Sequence, residues 1–131
     1  MSAPFLLDAN ALIALTVTDH EHHERAAQWA GTDQHFALCP TSEGALARFI
    51  VRIGSGPETV QALLSRLYAS PRCEFWADSL SYVDTELSHV HSHRQVTDAY
   101  LAALAAVRGA RLATFDEALT ATLPEQTFLI P

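Results

Sequence analysis

The feature that most constrains this chain is an alternation of short apolar runs with longer stretches of helical periodicity. The runs are Phe5-Leu6-Leu7, Phe36-Ala37-Leu38-Cys39, Cys73-Glu74-Phe75-Trp76, Arg111-Leu112-Ala113-Thr114 and Thr127-Phe128-Leu129-Ile130. Each is short and bounded by polar or turn-forming residues, as strands are. Between them apolar residues recur at helical spacing, as in Ala26, Trp29 and Ala30, in Leu46, Phe49, Ile50 and Ile53, in Val60, Leu63, Leu64 and Leu67, and in Tyr100, Leu101, Leu104 and Ala105. Strands joined by helical crossovers pair in parallel, and a parallel sheet is covered on both faces. The chain therefore reads as a three-layer α/β fold with a mainly parallel central sheet.

Local signals place the boundaries. Asn10 is predicted to cap the first helix, and Thr41 or Ser42 the helix that carries Leu46. Gly31 and Gly109 end helices, Pro40 stops the second strand, and Gly54-Ser55-Gly56-Pro57 separates two hairpinned helices. Asp116 opens a short helix through Leu123. The polar stretch after Trp76 has only Leu80, Tyr82, Val83 and Leu87 as anchors, and no regular element is assigned to it. With 131 residues, 49% of them apolar, a single domain over residues 1–131 is expected. No apolar stretch reaches the roughly 20 residues that span a bilayer, and no signal pattern opens the chain, so a soluble cytoplasmic protein is expected. Cys39 and Cys73 sit in apolar runs and read as buried free thiols. A net charge of −7 argues against a broad basic surface for nucleic acid, although bound cations would reverse the sign locally.

Four acids fall where this alternation converges. In open parallel sheets, ligands bind beyond the carboxyl ends of the strands. Asp8 follows the first strand and Asp116 the fourth, while Glu43 and Asp98 occupy the first turns of helices that start at the same rim. Singly, each is explained by capping or by the helix dipole. Asp8 is explained least well in this way, because Asn10 is available as the cap. Together, four carboxylates repel one another unless a divalent cation neutralises them. An all-oxygen set with no cysteine and no histidine at the rim selects magnesium or manganese over zinc. Arg48 and Arg94 are candidate phosphate contacts, with a salt bridge to these acids as the alternative. The clusters His20, His22, His23 and His89, His91, His93 read as solvated surface rather than a zinc site. Phe49, Ile53, Val60, Leu63 and Leu67 form a core face that would otherwise receive a partner helix.

The string Leu6-Leu7-Asp8-Ala9-Asn10-Ala11-Leu12-Ile13-Ala14-Leu15 resembles the PIN-domain ribonucleases, in particular the VapC-type toxins of bacterial toxin-antitoxin pairs. So do Thr41-Ser42-Glu43-Gly44 with Arg48, His93-Arg94-Gln95-Val96-Thr97-Asp98-Ala99-Tyr100-Leu101, and Leu112-Ala113-Thr114-Phe115-Asp116, so the resemblance spans nearly the whole chain. It implies a compact α/β PIN fold, magnesium- or manganese-dependent endonucleolytic cleavage of RNA, inhibition by a cognate antitoxin and usually a homodimer. It further implies Asp8 and Asp98 as principal metal ligands, Glu43 and Asp116 completing the set directly or through water, and Asn10, Thr97 and Thr114 as supporting polar neighbours. Ser92 stands where the family often has glycine. Two other readings remain at this point. A phosphatase or phosphotransfer domain would use Asp8 as nucleophile but needs a lysine, and the chain has none. A catalytically silent binding module would keep the fold without the chemistry, and the intact set of acids counts against it.

Overall fold

The structure is a computed structural model that describes residues 3–131. Three-residue strands Phe5–Leu7 (β1), Phe36–Leu38 (β2), Cys73–Phe75 (β3), Leu112–Thr114 (β4) and Thr127–Leu129 (β5) form one sheet in the order β3-β2-β1-β4-β5. All neighbours are parallel, with Leu6 of β1 level with Ala37 on one side and Leu112 on the other. The connecting helices are Ala9–Thr16 (α1), His23–Ala30 (α2), Pro40–Arg52 (α3), Pro57–Tyr68 (α4), Val96–Val107 (α5) and Glu117–Thr122 (α6).

Successive strand residues face opposite sides of the sheet. Leu7, Phe36, Leu38 and Ala113 therefore pack with Leu12, Trp29, Leu46 and Ile50 from α1 to α3. Leu6, Ala37 and Leu112 pack on the other face with Leu101 and Leu104 of α5, and Leu119 of α6 joins them. Each fully buried leucine contributes roughly 1.5–3 kcal/mol by leaving water. The chain winds outward from β1 through β2 to β3, then returns beside β1 as β4 and continues the other way. Because crossovers are right-handed, reversing direction moves the covering helices to the opposite face. Strand order thus reverses between β1 and β4, and the connections leaving these two strands diverge at their carboxyl ends.

Two helix starts differ from expectation. Asp8, not Asn10, caps α1: a single residue separates β1 from the helix, and Asp8 Oδ1 accepts the Ala11 N–H at 2.7 Å. Asn10 lies inside the helix. Likewise α3 starts at Pro40, with Cys39 in the cap position, so Thr41 and Ser42 fall in the first turn. Proline suits that first position because its fixed φ is helical and its missing N–H would have no partner there. Pro40 therefore begins the helix, with one residue between it and the end of the strand at Leu38. Gly109 takes a positive φ of 69° directly beyond α5, as its predicted role requires. The connection from β3 to α5 carries two single 3₁₀ turns, Tyr82–Asp84 and His93–Gln95. Cys39 and Cys73 are buried free thiols. Val60 is buried and Phe49, Leu63 and Leu67 are partly so, whereas Ile53 is exposed, so the predicted face is core over most of its length. Among the described residues no helix is long and apolar enough to cross a membrane.

Candidate active site

The reversal between β1 and β4 brings Asp8 and Asp116 together from opposite ends of the chain. The Asp8 N–H donates to the Ala113 carbonyl of β4 at 3.2 Å, so the strand pairing itself positions the residue. The buried Thr114 hydroxyl accepts the Asp116 N–H at 3.0 Å and donates to the Asp8 carboxylate, which links the two acids through one side chain. Asp98, in the first turn of α5, is the third member.

The electrostatics follow from this geometry. Asp8 is only 3% exposed. Burial pushes its carboxyl up to about 7, against the bonds from Thr114 and Ala11 and with smaller help from the charges of Asp98 and Asp116. Asp98 is raised to about 6, first by burial and then by Asp116. Asp116 is exposed and caps α6, its Oδ1 accepting the Leu119 N–H at 3.0 Å. Three carboxylates therefore share one edge, and among the described residues no side-chain cation is paired with any of them. Among the described residues the ion pair formed is His22–Glu21 at 3.4 Å, and neither Arg48 nor Arg94 pairs with an acid.

Glu43 starts at the same edge but turns away. Ser42, fully buried, donates to the Leu7 carbonyl at 3.0 Å and ties the first turn of α3 to the end of β1. The Glu43 carboxylate instead accepts the Tyr68 hydroxyl from the end of α4, and it is not among the charges that shift Asp8 or Asp98. As the side chains stand, no three acids, histidines or cysteines among the described residues are close enough to enclose a metal ion. The donor chemistry nevertheless fits a hard divalent cation. The groups are carboxylate oxygens, Asp8 buried and Asp98 partly so, both made harder to ionise by burial and then by neighbouring carboxylates, which is the condition a cation relieves.

The supporting residues divide. Thr114 holds Asp8 and Asp116, whereas Thr97 is exposed beside Asp98. Asn10 Oδ1 accepts from His20 Nε2 at 3.0 Å. The Nδ1 of the same ring accepts the His22 N–H at 3.0 Å, so its proton sits on Nε2. Arg94 lines a cavity of about 160 Å³ with Asp98 and Asp116. Arg48 is exposed in a shallow groove with Ala47, Val51 and Arg52. The expectation of a rim without histidine is overturned, because His89 lines the same cavity as Asp98. Nor is the first histidine cluster mere surface. His22 stacks on Phe115 at 4.7 Å between centroids, His23 Nδ1 meets the Ala14 carbonyl at 2.8 Å, and Arg25 covers Phe115 while donating to the Ile130 and Pro131 carbonyls. His91 and His93 are exposed, as predicted. Ser42, Tyr68 and His89 carry roles at this edge that local pattern does not reveal. Of the three, only Ser42 had a signal, its place at a helix start.

A doubly wound parallel sheet with acids gathered at its switch point defines the class, and residues 5–122 match the PIN domain family. The chain belongs to that family. It is 46% identical over 127 residues to Ribonuclease VapC29 of Mycobacterium tuberculosis, with 96% of each chain covered. It is 38% identical over 122 residues to Ribonuclease VapC38 of the same organism, covering 85% of this chain and 84% of that one. The crystal structure of Mycobacterium tuberculosis VapC20, a sarcin-ricin loop cleaving toxin, matches with a TM-score of 0.69 over 90% of this chain and 94% of that one. At 12% identity this last likeness concerns the fold alone.

Proposed function

We propose that this chain is a divalent-metal-dependent endoribonuclease, the toxin of a toxin-antitoxin pair, acting in the cytoplasm as a homodimer. It hydrolyses RNA phosphodiesters with magnesium or manganese to leave a 5′-phosphate and a 3′-hydroxyl. The observation that carries this reading is the convergence of Asp8, Asp98 and Asp116 on the switch point, where burial first and the neighbouring carboxylates second hold the Asp8 and Asp98 carboxyls above the usual range. The ribonuclease names of its relatives support it.

A bound divalent cation supplies Lewis acidity, which makes a water more acidic and offsets charge on the phosphate. Asp8 and Asp98 would hold it, with Asp116 completing the set directly or through water and Glu43 joining once released from Tyr68. Thr114 orients Asp8, and the capping bond from Ala11 fixes one of its oxygens. Binding would displace protons from Asp8 and Asp98, so affinity is expected to fall as pH drops through 7 to 6. Arg94, at the edge of the cavity, grips a substrate phosphate.

The test is cleavage of RNA by the purified chain and by its Asp8→Asn and Asp98→Asn forms, in magnesium, in manganese and in chelator. Both variants and the chelated enzyme are expected to lose at least about a hundredfold in rate while keeping a cooperative melt. Unchanged activity in both variants refutes the assignment, and a 2′,3′-cyclic phosphate at the cut refutes hydrolysis by water.

A further inference from the structure

We propose that the cavity beside the three aspartates is a nucleobase subsite in which His89 reads the base edge, an inference that rests on the nuclease reading above. The cavity lies at the carboxyl edge of the sheet, rimmed by Asp98 and Asp116. One wall comes from the β3–α5 connection through His89, Arg94 and Gln95, and the floor is α6 through Ala118 and Leu119.

Its volume is about 160 Å³, well under the roughly 300–1,000 Å³ of pockets that take drug-sized ligands, so it suits a single ring system. Apolar Ala118 and Leu119 together with hydrogen-bonding side chains match what an unstacked base requires, a face to lie on and an edge to be read. The apolar residues give a phosphate nothing to bind, so its place is at the rim beside Arg94 and the aspartates, and the remaining space is left for a ring.

His89 supplies the independent observation. Both its ring nitrogens are buried and have no hydrogen-bond partner among the described residues. Buried polar groups are nearly always paired, so an orphaned imidazole in a cavity wall points to a ligand. A neutral imidazole carries one donor and one acceptor. Whichever nitrogen meets a base edge does so as donor or as acceptor according to the tautomer. Gln95 adds to the wall: its Oε1 accepts the N–H groups of His91 and Ser92, which fixes the turn and leaves its NH₂ as a donor. The base next to the scissile phosphate is therefore the occupant, and His89 and Gln95 make the site selective among bases.

The experiment is cleavage of a randomised RNA pool by the full chain and its His89→Ala, His89→Gln and Thr122→Trp forms, with cut ends sequenced and kcat and KM measured on one preferred oligonucleotide. Thr122 lines the same cavity from the exposed end of α6, so the tryptophan fills the space without touching the core. The wild type is expected to prefer one base at a position adjoining the cut. His89→Ala and Thr122→Trp are expected to flatten that preference and raise KM about tenfold at unchanged melting temperature, and glutamine, with a donor and an acceptor, to restore part of it. Unaltered preference and KM in both the alanine and tryptophan forms overturn the subsite and leave the nuclease reading standing. Uniform weakening across all sequences, with a salt slope reduced by about one, reassigns His89 to a phosphate and also overturns it. A wild type that cleaves no RNA overturns both.

Discussion

Asp8 is held by two opposed influences. A capping carboxylate is ordinarily kept ionised by the amides it accepts from, yet here burial outweighs the Ala11 and Thr114 bonds and leaves the group titrating near 7. An unfolded aspartate titrates near 4, so between those values the metal-free folded chain holds a proton that the unfolded chain has released. The contribution of Asp8 to stability is complete below about pH 4 and is lost as pH rises through 7, by something on the order of a few kcal/mol. Calorimetry in chelator is expected to show a lower melting temperature at pH 8 than at pH 5, with a clearly smaller difference in Asp8→Asn. An identical pH slope in the two proteins contradicts this account. Adding manganese should stabilise the wild type more at pH 8 than at pH 5, since fewer protons must then be displaced. At Asp116 the charge separates from the cap: Asp116→Asn removes only the former, whereas Asp116→Ala also forfeits the Leu119 bond and about 1 kcal/mol of stability, readable by urea denaturation.

Helix α3 is the element on which the edge turns. Ser42 anchors its first turn to β1, and Tyr68, from the end of α4, holds Glu43. Ser42→Ala leaves the Leu7 carbonyl without its side-chain donor in a sealed site and is expected to cost about 1–3 kcal/mol in urea denaturation. Tyr68→Phe frees Glu43 and is expected to cost about 1–2 kcal/mol, with a change in manganese affinity by titration calorimetry that a purely structural bond would not produce. The existence and order of these helices were legible in the apolar spacing. Their starting residues were not, because at Asp8 and at Cys39 a single residue both leaves the strand and enters the helix, and side-chain preference does not say which neighbour takes the cap.

At the scale of the whole molecule, burial is uneven. The centre of the sheet is sealed on both faces, while the 77–95 connection buries little besides Thr85 and has only two single helical turns. In hydrogen exchange its amides are expected to lose protection well before those of β1 and β4, and RNA is expected to slow exchange at residues 89–95 if the cavity is occupied. The alternation of the sequence determined the three-layer fold, the parallel pairing and the placing of acids at strand ends, because apolar period and crossover length are local properties that restrict the global arrangement. Only the tertiary structure decided which acids meet. Asp8 and Asp116 are joined because β4 returns beside β1, Glu43 is drawn off by a tyrosine on another helix, and His89 leaves an apparently solvated run to line a cavity. Those outcomes depend on how side chains from distant segments pack in space, and no periodicity along the chain encodes that distance.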